Sequence, residues 1–274
     1  MVSLLIGIKT DPVLRYFFQR TFVRKDRNII FINTERIGND VLLSSQGWQL
    51  PCGGWIPHTA VSGVYNRMLS GSQGPYIAYL SWLLDEYYPN VINRPKDTLT
   101  NFSKLWQLEQ ASQAGFLVPE TEVLANHRIR TAHQGKYIFK SISSIRSIVR
   151  HVSDNSQKQV HEPVLFQEDK GRVNIRVHVI GGQCFAQEII SVEVDYRYDL
   201  CVKKARQCVI PTSLAKGCHR LAQKMGLFFA GIDFMLCDEG YYFLEMNPSP
   251  GYAYFEKQMY GSPLSRCLYE GLKS

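Results

Sequence analysis

Two apolar segments near the end of the chain, Gly231 to Leu236 and Tyr241 to Asn247, constrain the fold more than any other feature. The turn Cys237-Asp238-Glu239-Gly240 between them predicts a β-hairpin. Asp233 lies in the first strand, and Glu245 and Asn247 lie two apart in the second, so those two share a face. Three oxygen donors converging on one face are what Mg²⁺ takes when it also bridges phosphate oxygens. A carboxylate at Glu245, set among Phe243, Leu244 and Met246, is costly to bury unless something compensates it, and a metal would. A partly exposed hairpin with ordinary acids is the alternative that the pattern leaves open.

The surrounding residues extend this region from about 164 to 274. Val164 to Gln167 reads as a strand. Val173 to Ile180 alternates, with Val173, Ile175, Val177 and Val179 on one face and Asn174, Arg176 and His178 on the other. Gly181-Gly182 turns that strand into a second one, Cys184 to Ile190. Ser213 is placed to cap a helix from Leu214 to Met225 that Gly226 ends, and a last helix spans Leu264 to Leu272. Arg176 can grip a phosphate or carboxylate with two hydrogen bonds, although a cross-strand ion pair is its commoner use. His178 has no serine or cysteine partner in the pattern and reads as a satisfied polar histidine.

Upstream, residues 93–163 form a middle region. Thr100 or Asn101 is placed to cap a helix through Ala114, ended by Gly115, with Leu105, Leu108 and either Ser112 or Ala111 as its modest apolar stripe and Lys104 elsewhere on its surface. Strands follow at Glu122-Val123-Leu124 and, after the turn Gly135-Lys136, at Tyr137 to Lys140, where Lys140 faces away from Phe139. A lysine at a strand end is ordinarily a solvated surface residue, but phosphoryl transfer needs such charges held against phosphate. Residues 1–92 form a first region, with strands at the start, at Asn28 to Ile32 and at Val91 to Asn93, and a helix over Tyr76 to Leu84. The apolar start reads as a buried strand, since Asp11 and Pro12 follow at once and no basic leader precedes it.

Composition narrows the classes. Hydrophobic residues at 45% and charged residues at 20% exclude a disordered chain. No apolar run is long enough to span a membrane. An odd number of cysteines, 7, with no CxxC pair points to neither a disulfide framework nor a zinc site, and Cys218 and Cys237 read as core thiols in a reducing cytoplasm. The net charge of +7 suits a site for a nucleotide triphosphate and an acidic substrate as well as it suits nucleic acid. No dense basic block or interleaved aromatic pattern favours nucleic acid. A Walker A loop, a GxGxxG in βαβ context and a GxSxG elbow are absent.

The order of motifs resembles the ATP-grasp superfamily, and within it the RimK-type ligases and the graspetide (microviridin-type) peptide-maturing ligases. Asn93-Arg94-Pro95, the helix carrying Lys104, Gly115-Phe116-Leu117-Val118-Pro119-Glu120-Thr121, Lys140, Gln167-Glu168, Asn174-Ile175-Arg176-Val177, Asp195-Tyr196-Arg197, Gly231-Ile232-Asp233 and Phe243 to Pro248 follow one another as in those proteins. The resemblance implies an α/β chain in which two α/β lobes, 93–163 and 164–274, clasp ATP behind a small α/β pre-ATP-grasp domain, 1–92. It implies nucleotide contacts from Lys104, Lys140, Gln167, Glu168, Asn174 and Arg176. Catalytic roles fall to Arg176, Lys140 and Arg197, and one or two Mg²⁺ ions to Asp233, Glu245 and Asn247.

Three departures stand out. Ser141 to Ser147 has no glycine where many such proteins carry a glycine-rich phosphate flap, leaving Ser143, Ser144 and Arg146 as substitutes. Position 174 is Asn where Asp is usual. Gly251 leaves room for an acceptor, with Tyr252 and Tyr254 as candidate pocket walls. The implied activity is an ATP-dependent carboxylate–amine ligase working through an acyl phosphate and making an amide, or less readily an ester, in peptide maturation or natural-product synthesis. The expected partners are a carboxylate substrate, such as an acidic precursor peptide with a leader, and an amine or hydroxyl acceptor, with neither nucleic acid nor membrane. A homodimer is compatible with the resemblance and has no signature in the residues. A small-molecule or amino-acid ligase, an ATP-grasp kinase releasing a phosphorylated product, and a non-catalytic binding protein on the same fold are the competing readings.

Overall fold

Leu4, Leu5 and Ile6 have no exposed surface, and a strand apolar on both faces needs cover on both. The computed structural model describes residues 1–68, 75–99, 103–124, 137–142, 149–151, 163–171, 173–190 and 204–274. The first region runs β1 (Val2–Gly7), α1 (Pro12–Phe18), α2 (Thr21–Arg24), β2 (Ile29–Asn33), β3 (Leu42–Leu43), β4 (Gly47–Gln49), β5 (Trp55–Pro57), β6 (Val61–Arg67), α3 (Pro75–Trp82) and β7 (Val91–Ile92). Strands β2-β1-β6-β7 form a parallel sheet, with β1 inside it, and β3-β4-β5 form a small antiparallel one. Asp11 starts α1 by accepting the backbone N–H groups of Val13 and Leu14 at 2.7 and 3.0 Å, with Pro12 in the first turn.

The middle region holds α4 (Pro95–Thr98), α5 (Lys104–Gln113), β8 (Thr121–Leu124), β9 (Tyr137–Ser141), β10 (Val149–His151) and β11 (Val164–Glu168). Its antiparallel sheet has the order β10-β9-β11-β8. By strand pairing this sheet therefore reaches Glu168, past residue 163. Helix α5 differs from expectation at its start. Ser103, whose side chain accepts from the Trp106 N–H, is its cap, and the candidates Thr100 and Asn101 lie outside the described residues. Its buried face is Lys104, Gln107, Leu108 and Ala111, while Leu105 is exposed. That i, i+3, i+4, i+7 face puts a lysine and a glutamine where an apolar count alone placed leucines.

The third region runs β12 (Val173–Ile180), β13 (Gln183–Ile190), β14 (Lys204–Gln207), α6 (Thr212–Lys224), β15 (Phe229–Cys237), β16 (Gly240–Asn247), α7 (Ala253–Glu256) and α8 (Pro263–Lys273). The sheet order is β14-β13-β12-β15-β16, all antiparallel. Ser213 is not the cap of α6. Pro211, in extended conformation, precedes the helix and starts it at Thr212, with no side-chain cap. Cys218 is buried as expected, but Cys237 sits half-buried at the hairpin turn beside Glu239, since the turn leaves it no core to enter. The five cysteines with described side chains are all free thiols. Among the described residues no helix is long and apolar enough to cross a membrane.

Two contacts join the ends of this arrangement. Helix α8 returns to the first sheet, where Leu264, Leu268 and Leu272 share a core with Leu5, Phe17 and Tyr65. A Cβ on Gly63 would collide with the Leu272 carbonyl oxygen, so only glycine lets α8 approach β6 this closely. Buried Asn93, just after β7, gives its amide N–H groups to the carbonyls of Phe229 and Pro248, both at 2.6 Å, and its oxygen accepts from the N–H groups of Phe228 and Phe229 at 2.9 and 3.0 Å. One side chain thus fixes where β15 begins and where the chain leaves β16. Replacing Asn93 with Leu strands buried backbone groups on both segments. Urea unfolding should show a loss of about 3–5 kcal/mol, and a loss under about 1 kcal/mol would contradict the role.

Candidate active site

The site is laid out by strand register. Arg176 of β12 lies opposite Asp233 of β15, which lies opposite Glu245 of β16. In the next row His178 faces Gly231, which faces Asn247. Residues two apart on a strand share a face, so the two rows form one polar patch on one side of the sheet. The opposite side carries Ile175, Val177, Ile232, Phe234, Phe243 and Met246 in the core.

Simple alternation would put Phe243 on the same face as Glu245 and Asn247. The register shifts between Asp233 and Phe234, so that Phe234 pairs with Phe243 and Leu244 is the extra residue. This bulge returns Phe243 to the core beside Met246 and leaves Glu245 and Asn247 on the site face.

Arg176 is buried and donates to the Asp233 carboxylate at 2.7 Å. Its guanidinium carbon lies 5.7 Å from the centre of the Phe255 ring. A Cβ on Gly231 would collide with this guanidinium, so the glycine of Gly231-Ile232-Asp233 makes the space that Arg176 fills. His178 is fully buried against Phe229 and Phe255. Burial, reinforced by the Arg176 charge, holds its pKa well below the usual imidazole value, so it stays neutral. Among the described residues neither ring nitrogen has a hydrogen-bond partner of normal geometry, and the Gly251 backbone is the polar group that approaches the ring.

Arg176, Asp233, Glu245 and Asn247 open onto a cavity of about 320 Å³. Its far wall is Pro12 and Val13 from the first region, together with Gly251 to Phe255. Tyr252 and Tyr254 are therefore at the cavity, as expected, although Tyr252 is fully buried and its hydroxyl is 3.1 Å from Ser265 Oγ. Arg67 of β6 braces this wall, bonding Ser249 Oγ at 2.8 Å and Asp11 at 3.2 Å, while Ser249 N–H donates to Asn247 Oδ1 at 2.8 Å.

The two lysines come from other elements. Lys104 Nζ donates to the Ser141 carbonyl of β9 at 3.2 Å and lies 3.9 Å from Glu245, so it spans the middle sheet and β16. Lys140 Nζ donates to Gln167 Oε1 at 2.7 Å, and Gln167 Nε2 donates to Thr121 Oγ1 at 2.9 Å. Gln167 thus points inward to Lys140. Glu168 points elsewhere, to Lys170 at 2.8 Å. Asn174 is half-buried on the Arg176 face, one pair of residues further along. Arg197 and the flap candidates Ser143, Ser144 and Arg146 lie outside the described residues.

Several groups at the site carry no obvious sequence signal. Pro12, Val13 and Arg67 come from the first region, far in sequence from the strands that carry Arg176, Asp233 and Glu245. Thr121 and Gln107 were visible only as members of a link and a helix. For Gln107 a signal existed: it sits three residues after Lys104 on a face otherwise filled by Leu108 and Ala111.

Residues 128–262 match the RimK-like ATP-grasp domain. The whole chain superposes on solved structures of this kind. The macrocyclase MdnC of Microcystis aeruginosa MRC, solved with the precursor peptide MdnA, is 19% identical with a TM-score of 0.79, covering 100% of both chains. The ATP-grasp ligase PsnB, solved with a minimal precursor, is 23% identical with a TM-score of 0.78, covering 98% of both. A RiPP-associated ATP-grasp ligase of Chryseobacterium gregarium, solved with ADP and a leader and core peptide, is 16% identical with a TM-score of 0.80, covering 100% of this chain and 97% of that one. No curated protein sequence matches. The chain has the ATP-grasp fold, of mixed α/β architecture.

The space for Arg176 is testable. Gly231→Ala should lose about 1–3 kcal/mol in urea unfolding, whereas Gly251→Ala, whose new methyl group meets nothing within 4 Å, should be near neutral. Equal effects of the two would contradict the packing described.

Proposed function

We propose that this chain is an ATP-dependent ligase that activates a carboxylate as an acyl phosphate and joins it to an amine or hydroxyl, and that its substrate is an acidic precursor peptide. The observation that carries the reading is the row Arg176–Asp233–Glu245, met from the side by Lys104. Two carboxylates and an amide oxygen on one sheet face are hard donors of the kind that would hold Mg²⁺. When bound, Mg²⁺ neutralises charge on the transferring phosphoryl group. Asp233, Glu245 and Asn247 are its ligands in this reading.

The nucleotide lies between the middle and third regions, with adenine along the Gln167-Glu168 strand and its phosphates toward Lys104 and Lys140. Gln167 orients Lys140 rather than the base, because its oxygen accepts from Lys140 and its amide is held by Thr121. The substrate carboxylate attacks the γ-phosphorus, and the bond to the leaving ADP oxygen breaks. Arg176 lies against the reacting face and stabilises the charge that develops on the acyl phosphate. The acceptor nucleophile then adds to the carbonyl carbon, loses its proton, and expels phosphate. Burial of Arg176 and the wall from Pro12 to Tyr254 limit water, which would otherwise hydrolyse the intermediate. Arg197 is assigned to the substrate side on the resemblance alone. The division into a first region to residue 92, a middle lobe and a third lobe remains part of this reading, as do a cytoplasmic location and a homodimer.

The peptide substrate is supported by the full-length likeness to structures solved with precursor peptides. Intact-mass spectrometry of an acidic peptide with an upstream leader, incubated with the protein, ATP and Mg²⁺, should show loss of one water per bond formed together with ADP. Glu245→Ala should lower ADP formation by roughly 10²-fold or more. An unchanged peptide mass, with ADP release stimulated by free amino acids or small acids, would move the substrate to that class, and full-rate ADP formation by Glu245→Ala would contradict the metal assignment.

A further inference from the structure

Strand β16 is the last strand of its sheet, so among the described residues one edge of its backbone has no neighbouring strand in that sheet. Two neighbours in sequence to the middle sheet cover it instead. The Leu117 carbonyl accepts from the Phe243 N–H at 2.8 Å. Gln107 of α5 does more: its Nε2 donates to the Met246 carbonyl at 2.7 Å and its Oε1 accepts from the Met246 N–H at 3.0 Å. The primary amide of Gln107 pairs with one residue of β16 as a peptide group of a neighbouring strand would.

Met246 stands between Glu245 and Asn247. Its side chain is in the core with Phe243 and Ile232, and its backbone is gripped from the side, so the residue is fixed in two directions. Its neighbours therefore project onto the site face from a fixed backbone. Gln107 is 1% exposed and lies on the helix face that also carries Lys104, one turn earlier. Lys104 lies 3.9 Å from Glu245. A buried amide on an apolar helix face is costly unless both of its ends are paired, and here both are paired to the backbone of the same residue.

We propose that Gln107 is a positioning residue: through Met246 it sets Glu245 and Asn247 for the metal that accompanies the nucleotide. The inference rests on the ligase reading above. It concerns how the oxygen pair is held, and it does not depend on which acid or acceptor is used. Groups that orient metal ligands change metal affinity by roughly 10–100-fold when removed, while leaving contacts to the rest of the ligand intact.

The test is calorimetric binding of ADP to the full chain with Mg²⁺ and with the metal chelated, for the wild type, Gln107→Met and Gln107→Glu. Methionine keeps the length and packing of the side chain but neither hydrogen bond. Glutamate keeps an acceptor for the Met246 N–H, sets an oxygen against the Met246 carbonyl, and gives a second reading if the first variant folds poorly. The expected result is a Mg²⁺-dependent gain in ADP affinity that falls by roughly 10-fold in both variants, with metal-free ADP affinity within about two-fold of wild type. An unchanged gain, or metal-free and metal-bound affinities falling together, would overturn the positioning role and leave the ligase reading intact. A wild-type protein whose ADP affinity gains nothing from Mg²⁺ would instead overturn the ligase reading, and the positioning role with it.

Discussion

The ion pair between Arg176 and Asp233, buried across the middle of a five-stranded sheet, is the constraint around which the rest is arranged. A buried pair of this kind is weak support for stability, because both charges lose their hydration. Its neighbours show what keeping it requires. Position 231 must be glycine to admit the guanidinium. Phe255 must lie beside it. His178, two residues away, must remain neutral, since a second cation there would be repelled. Under the proposed function these requirements suit a charge kept at the edge of a cavity to act on a ligand.

The same logic extends outward. The bulge at Leu244 lets an apolar strand place two oxygen donors on the site face without exposing Phe243. Asn93, Arg67 and Gln107 then pin the backbone on either side of those donors, each from a different part of the chain. The first region thus does more than precede the two lobes. Through Arg67, Pro12 and Val13 it forms part of the wall and support of the site, with Asn93 just beyond its end.

Much of this was legible in the sequence. The hairpin of Asp233, Glu245 and Asn247, the alternation of β12 and the strand ending at Lys140 follow from side-chain periodicity, which is local. What escaped depends on contacts between distant segments. The bulge is invisible to simple alternation, because Phe243-Leu244-Glu245-Met246-Asn247 reads equally well with or without it. The start of α5 was misplaced because Thr100, Asn101 and Ser103 are all good caps, and only packing of Lys104 and Gln107 against β16 and β9 selects Ser103. Hydrophobicity alone places Leu105 inside, whereas the helix turns a lysine and a glutamine inward, since they have partners there. Ser213 looked like a cap by residue type, but Pro211 fixes the backbone two residues earlier.

The central claim is that the cavity beside Arg176 and Glu245 phosphorylates a carboxylate and then gives it to a nucleophile. The direct measurement is to supply an acid that stimulates ADP release with its carboxylate oxygens labelled with ¹⁸O, and to analyse the released phosphate by mass spectrometry. An acyl phosphate requires one labelled oxygen to leave with each phosphate as the new bond forms. Phosphate carrying no label from the acid would contradict the account, because the γ-phosphoryl group would then have gone to water or to another acceptor.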